Sequence, residues 1–266
     1  MALCLNLNAD LGESFGPWKM GSDAAMLRIV DSANVACGYH AGDPAVMMKT
    51  VGLAKESGVS IGAHPGYPDL QGFGRRRMDV AADELEAMLI CQIGALDACC
   101  RAQGTRLTHV KAHGALYNVA GTERKVAEVI VRAVQRVDTK LILLAAAASH
   151  SVSVARERGL PVVEEIFADR AYLDDGNLVP RTRSDAMIHG AEASLAHVLR
   201  MVEEQALVSV NGKRIPVKPE SICVHGDGAE AVATAQALRD GLTRAGYRLV
   251  TIPELDESSG MVPAPH

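Results

Sequence analysis

A parallel α/β barrel is the fold this sequence predicts, on three observations. Runs rich in β-forming residues alternate with helical patterns along all 266 residues, which is the signature of parallel strands joined by crossover helices. Polar, chemistry-bearing residues end nearly every strand, and no repeat, low-complexity tract or Pro/Gly/Ser-rich linker divides the chain. Seven β/α units fit either an open doubly wound sheet or a closed barrel. Polar ends spread over most strands, rather than gathered at one switch point, favour the barrel.

The elements follow in order. The spacing predicts strand 3–8, with Leu3, Leu5 and Leu7 on one face and Asn6 and Asn8 on the other, then helix 22–31. Strand 32–37 leads to helix 44–57, which Asp43 caps ahead of Pro44 and Gly58 stops. Strand 59–63 precedes helix 81–103, strand 107–112 precedes helix 122–137, and strand 141–146 precedes helix 149–158. Strand 162–168 is followed by helix 184–205, and strand 221–225 by helix 228–245. Gly104, Gly159 and Gly246 read as further helix stops. Asn211-Gly212, between two short β-prone runs, predicts a hairpin inserted near 206–220. One barrel domain over 1–252 is expected, with 253–266 a frayed tail beyond Pro253.

Charge and composition narrow the partners. A net charge of −5 and a pI of about 6.0 give no footprint for nucleic acid or an anionic membrane, and Arg75-Arg76-Arg77 is too short a basic run to supply one. Six cysteines without a CxxC pair fit a reduced, cytoplasmic setting. No secretory leader pattern opens the chain and no run of about 18 apolar residues occurs. A soluble, unprocessed protein acting on a small molecule is expected.

Residues at the C-terminal ends of parallel strands meet on one face, where such folds place their sites. Asn6, Asn8, Asp10 and Glu13 set four polar groups around the end of the first strand; a single Asp there would read as a turn residue, but this company points to a site. The second strand ends in Asn34-Val35-Ala36-Cys37-Gly38-Tyr39-His40-Ala41-Gly42-Asp43. Asp43 reads as a cap, Cys37 as core or as a nucleophile beside a histidine, and His40 has no helical role. His64-Pro65-Gly66-Tyr67-Pro68-Asp69 is a rigid loop, and Arg75 or Arg76 beyond it is either an anion binder or a solvated face. Lys111 and His113 share a strand face, and an inward lysine needs a carboxylate, which makes Asp10 or a substrate anion its natural partner. Glu165, Asp169 and Arg170 close the sixth strand, and His225-Gly226-Asp227 opens the last helix, where an anion is favoured. Histidines and carboxylates on one face have the donor chemistry for a divalent metal. HExxH, P-loop and GxGxxG motifs are absent, so any ATP would need another cradle.

The runs LNLNADLGESFG, NVACGYHAGD, GAHPGYPD, GFGRR, VKAHGALYN, FADRAY and VHGD together resemble the LamB/YcsF family over residues 3 to about 252. The resemblance implies a distorted seven-stranded (β/α) barrel of the glycoside hydrolase/deacetylase-like kind. It also implies the role of the A subunit of a prokaryotic 5-oxoprolinase, which opens 5-oxo-L-proline to L-glutamate with ATP as co-substrate and with partner subunits B and C. By analogy with deacetylase-like folds, a divalent metal would fall on Asp10 with His40 or His64. For that reaction Asp10 or His113 is the expected base, His64 or His225 the acid, and Lys111 with Arg170 the cations that hold carboxylate or phosphoryl oxygens. Asn8, Asn34, Arg75, Glu165, Asp169, Arg170 and Asp227 are the expected substrate contacts. A stand-alone metal-dependent deacetylase or amidohydrolase, and a non-catalytic protein that only binds substrate for its partners, are the rival readings.

Overall fold

The structure is a computed structural model that describes residues 3–224 and 230–258. His225 and Asp227, and with them the expected anion site at the last helix, lie outside the described residues. Among the described residues, seven parallel strands close into a barrel: β1 (Cys4–Leu11), β2 (Ser32–Ala36), β3 (Ser60–His64), β4 (Leu107–Val110), β5 (Ile142–Ala146), β6 (Val162–Phe167) and β9 (Ser221–Val224). Closure comes from β9 pairing with both β6 and β1, with Glu165 opposite Ser221 on one side and Asn8 opposite Cys223 on the other. The ring is distorted at β4, which slips register against β3 between Ile61 and Gly62 and matches β5 at only His109 and Val110.

Alternation on β1 explains its position. Leu5, Leu7 and Leu11 are buried on the side that faces the helices, each contributing roughly 1.5–3 kcal/mol. Asn6, Asn8 and Asp10 face inward. Asn8 bonds Glu165 of β6, two strands away in the ring, and that contact can be made only through the barrel interior. β1 also runs three residues past the expected end, so Asp10 lies within the strand and is held by its ladder.

The helices among the described residues are α1 (Asp23–Met26), α2 (Pro44–Glu56), α3 (Ala82–Ala102), α4 (Gly114–Thr122), α5 (Arg124–Val137), α6 (His150–Glu157), α7 (Ala191–Glu204), α8 (Ala231–Arg244) and α9 (Ile252–Ser258). Asp43 caps α2 through the backbone N–H groups of Ala45 and Val46. The first helix is one turn rather than the expected 22–31. The expected helix 184–205 begins only at Ala191, because the backbone of 186–188 is engaged by the loop after β6: Ala171 N–H donates to Ala186 O and Ile188 N–H to Asp169 O. The hairpin near 206–220 forms as β7 (Ala206–Val208) and β8 (Arg214–Pro216), outside the barrel.

The C-terminal segment corrects the expectation of fraying from 253 onward. β10 (Arg248–Leu249) adds to the start of β1, and Ile252 and Leu255 of α9 pack on Ile142, Leu144 and Val163. Asn6 donates to Val250 O at 2.7 Å, so this segment plugs the N-terminal end of the barrel and leaves the C-terminal end open. Among the described residues no helix is long and apolar enough to cross a membrane.

Candidate active site

The open end holds a cavity of about 620 Å³, lined by Asp10, Glu13, His64, Lys111, His113 and Arg170 among others. Beneath it Lys111 is buried, with its Nζ 2.9 Å from Asp10 Oδ1 and 2.9 Å from Glu165 Oε1. Burial alone would depress this ammonium, but Asp10 foremost and Glu165 after it hold its pKa well above the ordinary lysine value. It also donates to Cys223 Sγ at 3.1 Å, a thiol that burial keeps protonated.

A saturated network fixes these charges. Asn8 Nδ2 donates to Glu165 Oε1 (2.9 Å) and Ser221 Oγ (2.8 Å), and its Oδ1 accepts from Asn34 Nδ2 (2.8 Å). Asn34 Nδ2 also reaches Asp10 Oδ1 (2.9 Å), while its Oδ1 accepts from His109 Nε2 (3.0 Å). Burial holds His109 down to about 3. It is therefore neutral, with Nδ1 accepting from Thr108 Oγ1 at 2.8 Å. Its ring lies over Gly62, where an added Cβ would come within 2.2 Å. Tyr117 completes the set by donating to Glu165 Oε2 at 2.6 Å.

Three histidines gather above the lysine. His64 Nδ1 faces Lys111 O at 2.8 Å and His113 Nε2 faces Phe73 O at 2.7 Å. Carbonyl oxygens only accept, so both of these nitrogens carry hydrogen. The other nitrogens, His64 Nε2 and His113 Nδ1, lie 3.1 Å apart, with Asp10 Oδ2 3.3 Å from the first and Glu13 Oε1 4.0 Å from the second. His40 stacks on His113 with ring centroids 3.6 Å apart, and neither of its buried nitrogens has a partner. Burial is the main reason that His113 is pushed down to about 3 and that His40 also falls well below the ordinary histidine value.

The loop after β3 sets this cluster. Phe73 adopts φ +54°, which costs a non-glycine residue roughly 1–2 kcal/mol, and so points its carbonyl at His113. Gly74 follows at φ +61°, where a Cβ would lie 2.7 Å from both His40 and His113; only glycine lets the loop close over the rings.

The sequence-predicted residues thus separate into layers. Asp10, His64, Lys111, His113, Arg75 and Arg170 line the cavity. Asn8, Asn34 and Glu165 are fully buried below it and orient Asp10 and Lys111, so their expected contact with substrate gives way to positioning. Asp169 does not line the cavity, though its charge reaches Arg170. Arg76 pairs with Asp69 outside the site, and Cys37, its thiol pushed up to about 12 by burial and donating to Val35 O, is core. For a metal, the donor atoms that converge within 4.8 Å belong to Glu13, His40, His64 and His113; Asp10 touches this group through His64. Tyr117, His109 and Cys223 had no signal as site residues, since each sits in an apolar run.

Residues 5–257 match the LamB/YcsF family. The chain belongs to that family. A relative from Azoarcus sp. (strain BH72), named as the A subunit of 5-oxoprolinase, is 53% identical over 253 residues, covering 95% of this chain and 99% of that one. The crystal structure of a lactam utilization protein from Thermus thermophilus superposes with a TM-score of 0.88 at 41% identity, covering 94% of this chain and all of that one. The structure of T48 deacetylase with substrate, at a TM-score of 0.51 and 15% identity over 97% of this chain and 92% of that one, shares the barrel fold with this LamB/YcsF protein.

Proposed function

We propose that this chain is the A subunit of an ATP-dependent 5-oxoprolinase of the cytoplasm, working with subunits B and C to convert 5-oxo-L-proline, ATP and water to L-glutamate, ADP and phosphate. The observation that carries this reading is the pairing of a buried Asp10–Lys111–Glu165 charge cluster with the facing imidazole nitrogens of His64 and His113 at the floor of one cavity, in a chain so similar to relatives of that name.

Lactam amides resist water because the nitrogen lone pair is delocalised into the carbonyl. Transfer of the ATP γ-phosphoryl group to the amide oxygen leaves ADP and makes the ring carbon electrophilic. Water then adds to that carbon and loses a proton, the C–N bond breaks as the nitrogen gains one, and the resulting acyl phosphate is cleaved by a second water to glutamate and phosphate. His113, neutral and with Nδ1 not committed to a carbonyl, is the base for the attacking water. His64, oriented by Lys111 O and backed by Asp10, returns a proton to the nitrogen. Lys111 sets the electrostatics by keeping Asp10 ionised and fixed in place.

A divalent cation suits the donor set. Asp10 and Glu165 outweigh Lys111 by one negative charge, Glu13 adds another, and the two orphaned nitrogens of His40 are buried beside them. Glu13, His40, His64 and His113 would hold it, His64 and His113 then serving as ligands in place of their proton-transfer roles, and it would supply Lewis-acid polarisation of an oxygen in the cavity. The same four residues favour, as a second reading, a metal-dependent amidohydrolase that acts without partners.

The deciding experiment measures glutamate release from 5-oxoproline by this chain with subunits B and C, with and without ATP and with each component omitted. ATP-dependent release that vanishes without this chain supports the proposal. Hydrolysis by the isolated chain with metal alone would favour the amidohydrolase.

A further inference from the structure

His40 carries no side-chain hydrogen bond. Both of its nitrogens are buried without a partner, so packing alone sets the ring. His113 stacks on it with centroids 3.6 Å apart, and Phe73 meets it edge-on at 5.8 Å. The backbone of Gly66 presses on its Nδ1: a Cβ there would lie 2.8 Å from that nitrogen and 3.3 Å from His113 Cβ, so Gly66 is a wall of the cluster. β3 ends at His64, and Gly66 lies beyond the last rung of its ladder to β2. Both polar backbone groups of Gly66 go instead to one side chain, Gln92 of α3. Gly66 N–H donates to Gln92 Oε1 at 2.9 Å, and Gln92 Nε2 donates to Gly66 O at 3.0 Å; its second hydrogen faces Met88 O at 3.4 Å, one turn back on the helix. An N–H only donates and a carbonyl only accepts, so these partners fix which way the amide points. Gln92 is 1% exposed and lies among the buried residues of α3 with Leu85, Leu89, Ile93 and Leu96. A polar group there is costly unless its hydrogen bonds are made, and two of them are made to the loop.

We propose that Gln92 is a positioning residue of the histidine cluster: its amide clamps Gly66, and Gly66 in turn holds His40 against His113 and within reach of Glu13 and His64. Neither Gln92 nor Gly66 lines the cavity, so the amide acts through the rings and not on a ligand. That the rings do chemistry rests on the 5-oxoprolinase reading; the clamp itself belongs to the chain alone. Pro65 O accepts from His113 N–H at 2.8 Å and carries the same constraint to the end of β4, so release of Gly66 loosens both rings of the stacked pair. Ionised glutamate at this position has the same shape but sets a carboxylate oxygen against Gly66 O and Met88 O. Methionine has a similar volume and makes neither bond to Gly66.

The test compares the full chain with Gln92→Glu and Gln92→Met, and with Leu96→Ala as a control that removes buried packing from the same helix. NMR of each protein follows the nuclear Overhauser contact between the Gly66 Hα protons and the His40 ring, together with amide exchange at Gly66 and His113. Both Gln92 variants should lose the ring contact, and Gln92→Met should exchange the two amides about tenfold or more faster, as for loss of a hydrogen bond that closes a local opening. Leu96→Ala should lower the melting temperature and keep the contact. Retention of the contact in a folded Gln92 variant, or its equal loss in Leu96→Ala, overturns the proposal. Gln92→Glu keeps the acceptor for Gly66 N–H, so it carries the test if Gln92→Met unfolds. A second arm measures turnover with subunits B and C. Here kcat should fall by about tenfold to a hundredfold, the effect of a misplaced catalytic group, with KM nearly unchanged because Gln92 touches no ligand; unchanged kcat with a displaced loop overturns the positioning role. A wild-type complex that releases no glutamate would instead defeat the 5-oxoprolinase reading, and the NMR arm, run on the chain alone, would still decide the clamp.

Discussion

His64 Nε2 and His113 Nδ1 lie 3.1 Å apart, each belonging to a ring whose other nitrogen is committed to a backbone carbonyl. Two lone pairs at that distance repel unless a proton or a cation sits between them. The carboxylates of Asp10 and Glu13 beside the pair, and the orphaned nitrogens of His40, favour positive charge at that point. The pair is therefore poised either to carry a proton toward substrate or to bind a cation.

Replacing His113 with alanine should lower glutamate release by the complete complex by about a hundredfold to ten-thousandfold, the range for a general base. Steady-state turnover of the reconstituted complex checks this, and intact turnover would remove His113 from the chemistry.

Lys111 has a different signature. Substituting methionine leaves Asp10 and Glu165 buried beside each other without their cation, so a loss of about 3–5 kcal/mol is expected, read from urea unfolding of the chain alone. Tyr117→Phe removes only one hydrogen bond to Glu165 and should cost about 1.5–3 kcal/mol.

Gly62→Ala forces a methyl group against the His109 ring. Overpacking of about 1–3 kcal/mol is expected, together with loss of the His109–Asn34 bond that holds Asp10, so both stability and turnover should fall. An alanine variant with wild-type stability would show that the register shift at Gly62 is not set by this contact.

Metal binding gives a test that does not depend on turnover. Equilibrium dialysis of the isolated chain against zinc or manganese should show one tight site, weakened by about tenfold or more when Glu13→Gln or His40→Ala removes a donor. Retention in both variants would place the metal elsewhere.

Asp69 anchors the loop that carries Phe73 and Gly74. Its hydrogen bonds from Arg76, foremost, and from the Gly72 N–H hold its carboxyl down to about 2. A folded-state pKa below the ordinary value near 3.8 means that the stabilisation is complete above about pH 4 and fades as pH falls toward 2. Comparing wild type with Asp69→Asn by denaturant titration, the difference in midpoint should be largest at neutral pH and shrink at the acid end.

Much of the barrel was legible because its signals are local. Leu5 and Leu7 against Asn6 and Asn8 give the face of β1 whatever it pairs with, although Leu3, read with them, is exposed and precedes the strand, and Asp43-Pro44 starts α2 through its own cap. The missed helix α4 lay in Gly114–Thr122, an apolar run continuous with β4 whose turn from strand to helix occurs at His113, a residue that reads as strand by alternation. Helix α9 was missed because Pro253 suggests an end, while the burial of Ile252 and Leu255 against β5 and β6 is long-range. Asp10, His64, Lys111 and His113 could be found as polar residues at strand ends. Tyr117, His109 and Cys223 could not, because a hydroxyl, an imidazole or a thiol in an apolar run reads as core until its partner is known.

Periodicity and capping act over a few residues, so the alternation of strand and helix, the inward face of β1 and the strand-end residues from which the site is drawn are legible in the chain before it folds. The closure of β9 onto β1, the sharing of Lys111 between Asp10 and Glu165, and the meeting of His40 with His64, His113 and Glu13 arise only on folding. Those pairings connect residues far apart in the chain, and their energy depends on exclusion from water, which exists only once the barrel has closed.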